Sequence, residues 1–108
     1  MLLSNKSYEE LEKASQECAE WHKKSIILED GKKAMFSKLF LKYKLETKTV
    51  IEAEHKARTD AEYREIVKQY ANAEEELIKA RYHYNNLDKY ISLKQSELKR
   101  DLALNSKV

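Results

Sequence analysis

The sequence predicts an all-α protein, and three observations lead to this prediction. The 108 residues contain no proline and one glycine, Gly31, whereas a β-rich fold needs such residues for its turns. Hydroxyl residues followed three positions later by glutamate recur, as at helix starts, and apolar residues recur at intervals of three and four. Hydrophobic residues make up 42% and charged residues 37%, which favours long amphipathic helices over a membrane-spanning or disordered chain.

Three capping boxes predict where the helices begin. In a capping box, a Ser or Thr side chain and a Glu three residues later each bond a backbone amide that the first helical turn leaves unpaired. The three boxes are Ser7–Glu10, Thr49–Glu52 and Thr59–Glu62. They predict helix starts near residues 8, 50 and 60.

The first predicted helix covers about residues 7–45. Its stripe has the three-four spacing of a coiled-coil seam and consists of Leu11, Ala14, Cys18, Trp21, Ser25, Leu28, Lys32, Met35 and Leu39. Gly31 has two interpretations, as the residue that ends a helix at Asp30 or as a bend within a longer helix. Because the stripe keeps its phase past Gly31, we favour one continuous helix.

A loop and two further helices are predicted after the first. Residues 46–49 contain two threonines, which favour cap positions, and form the loop. A short helix at about 50–57 follows. A long helix at about 60–102 comes next and is expected to open at Thr59 or Asp60. The long helix has a second three-four stripe, which consists of Tyr63, Ile66, Tyr70, Ala73, Leu77, Ala80, Tyr84, Leu87, Ile91 and Leu98.

The charge pattern favours an antiparallel, coiled-coil-like hairpin of the two long helices. Residues 1–31 and 49–78 carry an excess of acidic side chains, whereas residues 32–48 and 79–108 carry an excess of basic ones. A fold at about residue 52 lays each acidic segment against a basic one, and a parallel arrangement would bring like charges together. All 108 residues are expected to form one helical domain.

Apolar residues that lie partly off the two stripes predict an oligomer. They are Ile26, Ile27, Phe36, Phe40, Tyr43, Val67 and Ile78. A hairpin of two helices cannot bury them, and small domains bury a low fraction of their surface. We expect further copies of the chain to cover them in an oligomeric helical bundle.

The sequence offers little support for an enzyme. The three histidines are scattered, and a single glycine cannot form a phosphate-binding loop. Cys18 and His22 share a helix face and Glu52 and His55 form one Glu-x-x-His pair, but zinc and di-iron sites require more ligands. We therefore expect no catalytic residue, no metal, no cofactor and no small-molecule substrate.

The expected location is the cytoplasm. Cys18 is the only cysteine, so the chain cannot form an internal disulfide, which fits a reducing compartment. The first residues lack the apolar segment of a signal peptide, and no apolar run approaches the ~20 residues of a membrane helix. No membrane partner is expected.

Basic and aromatic residues alternate in residues 32–48, which contain six lysines and one glutamate. The lysines of this stretch surround Phe36, Phe40 and Tyr43, a combination typical of proteins that bind single strands by charge and stacking. A net charge of +2 does not by itself indicate a nucleic-acid partner. In the alternative interpretation the rings belong to the core and the lysines pair across the hairpin with Glu62, Glu65, Glu74 and Glu75.

Several short segments together form a recognisable layout. They are Trp21, residues 38–44, residues 49–54, Ala57-Arg58, Glu62-Tyr63 and residues 96–100. In this layout the chain resembles a group of small helical phage proteins of replication and recombination. It is also similar to the UvsY-type recombination mediators, which are oligomeric, bind single-stranded DNA and help to load a recombinase. The resemblance extends over about residues 15–100.

The resemblance implies a non-enzymatic accessory protein in the cytoplasm of a bacterial host cell. Its implied partners are further copies of the chain, single-stranded DNA and a recombinase or replication protein. The phosphate contacts that it implies are Lys38, Lys42, Lys44, Lys56 and Arg58. For Arg58, an ion pair with Glu54 or Glu62 at a helix terminus is an equal alternative.

A second functional hypothesis is a coiled-coil module that binds another protein, or a small phage inhibitor of a host protein. This hypothesis predicts no DNA binding. The partner surface would then include Trp21, Phe36, Phe40 and Tyr43.

Overall fold

The computed structural model describes residues 5–106, which form three α-helices. Helix α1 spans Asn5–Lys44, α2 spans Val50–Thr59 and α3 spans Ala61–Ser106. The all-α prediction is confirmed, since residues 5–106 contain no strand. No helix in this range combines the length and the apolarity required to cross a membrane.

The helices contribute to two compact units. One unit comprises residues 21–77 and therefore contains α2 together with the adjoining parts of α1 and α3. The other unit comprises the chain up to Glu20 and from Ile78 onward. In this second unit, Gln95 Nε2 donates a hydrogen bond to the Tyr8 hydroxyl over 3.0 Å.

Burial follows the two predicted stripes. The buried stripe residues are Ala14, Ser25 and Leu39 in α1 and Ala73, Leu77, Ala80 and Ile91 in α3. Every other stripe residue is half-buried. The three-four pattern thus identified the inward face of both long helices, including the parts that small residues occupy.

Contacts between α1 and α3 in the unit of residues 21–77 follow a regular order. The Ser25 hydroxyl donates a hydrogen bond to a Glu74 carboxylate oxygen. The Lys32 ammonium lies 4.5 Å from the centre of the Tyr70 ring, and the rings of Phe36 and Tyr63 are 5.6 Å apart. Partner numbers along α3 therefore fall as residue numbers along α1 rise.

Helix α2 begins at the second predicted capping box. Thr49 is extended, with φ −126° and ψ 155°, and its hydroxyl oxygen accepts a hydrogen bond from the Glu52 backbone N–H over 3.2 Å. The helix packs through Ala53 and Ala57, which have no exposed surface. The cap predicted at Thr49 is confirmed.

The other two capping boxes do not form, although α3 begins at Ala61, next to the predicted start near residue 60. Ser7 lies inside α1, which is already helical at Asn5. Thr59 is the last residue of α2, and its hydroxyl donates to the carbonyl oxygen of His55 over 2.9 Å. Asp60 caps α3 instead, because its Oδ1 accepts from the Glu62 N–H over 2.9 Å.

Gly31 lies within α1 and does not adopt a positive φ. A Cβ at this position would come within 3.0 Å of Ile66 Cδ1. The glycine therefore allows α3 to approach α1 closely, and the interpretation of Gly31 as a helix end is wrong.

We expect Gly31→Ala to leave stability nearly unchanged in the natural chain. Alanine favours a helix over glycine by about 1 kcal/mol, but the added methyl group must displace the end of the Ile66 side chain. In an Ile66→Val background, which removes Cδ1, the same change is expected to stabilise by about 1 kcal/mol. Urea unfolding monitored by circular dichroism measures both values, and equal effects in the two backgrounds would exclude the contact.

Candidate nucleic-acid interface

The five cations implied as phosphate contacts are all exposed. Lys38, Lys42 and Lys44 lie on the last two turns of α1, and Lys56 and Arg58 lie near the end of α2. Among residues 5–106, no salt bridge involves any of these five side chains. Their charges are therefore available to an anionic partner.

In the described chain, the lysines of residues 32–48 form no salt bridge with Glu62, Glu65 or Glu74 of α3. Glu74 accepts a hydrogen bond from Ser25, and Glu65 accepts one from Gln69. The ion pair that Lys33 makes is with Glu29, one turn earlier on α1, over 3.9 Å.

Arg58 contacts an aromatic ring of α1. Its guanidinium carbon lies 5.5 Å from the centre of the Phe36 ring, within the range of a cation–π interaction. An ion pair with Glu54 or Glu62, the alternative expected from the sequence, does not occur. The side chain thus joins α2 to α1 and keeps its charge unneutralised.

The four aromatic residues predicted for a protein interface are half-buried. The Phe36 ring stacks on that of Phe40 at 6.3 Å and meets that of Tyr63 at an angle of 59°. Trp21 lies under the Lys24 ammonium, at 4.5 Å. Part of each ring therefore packs within the chain, and part of it remains accessible.

A cleft of about 530 Å³ opens beside this aromatic cluster. Its lining residues come from all three helices and are Lys32, Lys33, Phe36, Ser37, Arg58, Tyr63 and Val67. Three of them are cationic, two are aromatic and none is acidic. The sequence pointed to Lys32, Lys33 and Phe36, but it did not predict that α2 and α3 add Arg58 and Tyr63.

Tyr43 and Asp60 form a hydrogen bond that the sequence did not predict. The Tyr43 hydroxyl donates to Asp60 Oδ2 over 2.6 Å. This bond, followed by the one from the Glu62 backbone N–H, lowers the pKa of Asp60 below its ordinary value of 3.8. The same bond, followed by desolvation, raises the pKa of Tyr43 above 10.0.

We expect Tyr43→Phe to lower the melting temperature by a few degrees at pH 7 and by progressively less as the pH falls below 3.8, the ordinary pKa of Asp60. A depressed pKa in the folded state stabilises above the unfolded pKa, and this contribution is lost as the pH falls through the folded pKa. Once Asp60 is protonated, the Tyr43 hydroxyl no longer has a carboxylate to bond. Melting curves of the natural chain and the variant between pH 2 and pH 7 test this, and a constant difference would contradict it.

At alkaline pH, the contribution of Tyr43 to folding stability changes with pH in the opposite direction. Because the pKa of Tyr43 is raised in the folded state, its contribution is complete below about pH 10 and is lost as the pH rises through the folded pKa. Asp60→Asn removes the carboxylate but keeps an oxygen that can cap α3. We expect this substitution to return the Tyr43 pKa toward its ordinary value, and an ultraviolet titration of the variant measures the change.

The metal-ligating residue types are dispersed. Nowhere in residues 5–106 do three or more His, Cys, Asp or Glu side chains form a group that could hold a metal ion. Cys18 is a free cysteine.

Comparison of the chain with known protein families, with curated proteins and with solved structures gave no match.

Proposed function

We propose that the protein is a non-enzymatic accessory of phage-type recombination or replication that binds single-stranded DNA. The observation that carries this proposal is the set of exposed cations at the end of α1 and along α2 that form no salt bridge within residues 5–106. A polyanion would supply negative charges for these cations, of which Lys42 lies near enough to the Asp60 carboxylate to help lower its pKa. The phage-type role follows from the resemblance of the sequence.

Binding is expected to depend mainly on phosphate contacts. Lys38, Lys42 and Lys44 would bind along one part of the strand, and Lys56 and Arg58 along another. For single strands, the logarithm of affinity falls with that of the salt concentration by about 0.7 for each phosphate neutralised. Five contacts would thus reduce affinity roughly 100-fold between 50 mM and 200 mM salt.

The proposed architecture is an antiparallel hairpin that assembles into an oligomeric bundle. The order of contacts between α1 and α3 in residues 21–77 supports the antiparallel pairing. Exposed apolar side chains of the unit of residues 21–77, among them Ile26 and Ile27, support the assembly because a further copy of the chain would cover them.

Fluorescence anisotropy with labelled DNA tests the proposal. We expect binding of a thymine strand at 50 mM salt, weaker binding at 200 mM salt, and a preference for the strand over a duplex of equal length. No binding at 50 mM salt, by a chain whose helicity is verified by circular dichroism, would refute the proposal.

A second candidate is a helical module that binds another protein. Its support is the number of exposed apolar side chains in the unit of residues 21–77, namely Ile26, Ile27, Leu41, Leu45, Val50, Ile51 and Val67. Such side chains occur at interaction surfaces when they form a continuous patch. This candidate predicts a folded protein with no affinity for DNA at any salt concentration.

A further inference from the structure

We infer that the cleft of residues 21–77 receives one unstacked base of the bound strand, an inference that rests on the proposed function. The cleft combines an apolar aromatic wall with three cations and has no acidic lining residue. This combination matches a nucleotide unit, which is planar and aromatic at one end and anionic at the other.

The wall suits a base because it presents two kinds of planar surface. The ring centres of Phe36 and Tyr63 are 5.6 Å apart, and the ring planes are inclined by 59°. Each ring therefore has a face or an edge toward the cleft. The Arg58 guanidinium covers part of the Phe36 ring. A base can stack on this planar guanidinium or take its place on the ring, and neither contact requires a particular base.

The charges suit the phosphate of the same nucleotide. Lys32 and Lys33 line the cleft from α1, and Arg58 lines it from α2. The partner of Lys33 is Glu29, 3.9 Å away and on an exposed surface. Exposed pairs of this kind contribute little free energy, so a phosphate can replace the carboxylate.

The dimensions agree with this occupant. About 530 Å³ is within the range of small-molecule sites, roughly 300–1000 Å³. Ser37, which is exposed at the edge of the cleft, offers a hydroxyl that can donate or accept a hydrogen bond. An aliphatic anion would satisfy the cations but would leave the aromatic faces without a planar partner.

The test compares Arg58→Lys with the natural chain on two strands of equal length, oligothymidine and a fully abasic strand. Lysine keeps the charge but loses the planar group. We expect the variant to bind oligothymidine about 5-fold more weakly or worse, and to bind the abasic strand with an affinity within about 2-fold of the natural one. Lys44→Gln, the matched control, is expected to lower the affinity for both strands equally.

A second variant tests the cleft without altering its charge. Ser37→Trp places a large side chain at the exposed edge, where it fills the cleft and does not enter the core. We expect the same selective loss on oligothymidine. Free thymidine monophosphate is expected not to compete below millimolar concentration, and competition at micromolar concentration would assign the cleft to a free nucleotide instead.

The outcomes separate the two proposals. If both variants lower the affinity for the two strands equally, or lower neither affinity, the cleft takes no base and the inference fails. In that case DNA binding by the natural chain still supports the proposed function. If the natural chain binds neither strand at low salt, the proposed function fails and the inference fails with it.

Discussion

Replacing Lys42 and Lys44 together by glutamate is expected to weaken the binding of single-stranded DNA on the order of 100-fold at low salt. Under the proposed function, each reversal removes one phosphate contact and adds a repulsive charge. Both side chains are exposed on the last turn of α1, and neither forms a salt bridge within residues 5–106. The slope of log affinity against log salt for the remaining binding should therefore correspond to about two fewer phosphate contacts.

The matched control is Lys13→Glu with Lys23→Glu. These lysines are also exposed on α1 and change the net charge by the same amount, but they precede residues 38–58 by at least 15 positions in the sequence. We expect the control pair to weaken binding less than about 5-fold, since only long-range, screened electrostatics remain. Equal losses in both pairs would indicate a general charge effect and would contradict a site at residues 38–58.

We expect Leu39→Ala to reduce the free energy of unfolding by about 2–5 kcal/mol. Leu39 is 3% exposed and ends the inward stripe of α1 in the unit that contains the cleft. The substitution removes three buried carbon atoms and leaves a cavity that neighbouring side chains fill only in part. Because small proteins are stable by only about 5–15 kcal/mol, a loss of this size is a large share of the total.

Leu41→Ala provides the comparison two residues away. Leu41 is 65% exposed on the same helix, so its truncation is expected to change the unfolding free energy by less than about 0.5 kcal/mol. Urea titrations at low protein concentration give both values. If Leu41→Ala cost as much as Leu39→Ala, a second copy would be covering Leu41 and the contrast between the two positions would be lost.

The inward faces of the long helices could be predicted because they depend on local periodicity. The stripes that begin at Leu11 and Tyr63 required only the 3.6-residue repeat, and their burial agrees with it. The cap at Thr49 was predictable for the same reason, since its partner Glu52 is three residues away. In both cases the decisive contacts join residues that are close in sequence.

Contacts that depend on tertiary packing could not be predicted. The choice between Phe36 and an acidic neighbour for Arg58 depends on how α2 is rotated against α1, which the buried Ala53 and Ala57 determine. The hydrogen bond of Tyr43 with Asp60 depends on the same packing. Local signals left the start of α3 open, because Thr59 and Asp60 are both good caps and only one of them can begin this helix.

Asp60 is the only residue between α2 and α3, and its dihedral angles, φ −65° and ψ 138°, determine the direction in which α2 leaves α3. An extra helical residue at this point would turn α2 by about 100°. Ala53 and Ala57 would then no longer face the core, and Arg58 would no longer contact the Phe36 ring. Natural length variation in this protein should therefore be confined to the segment between Lys44 and Val50, and the junction at Asp60 should keep its length.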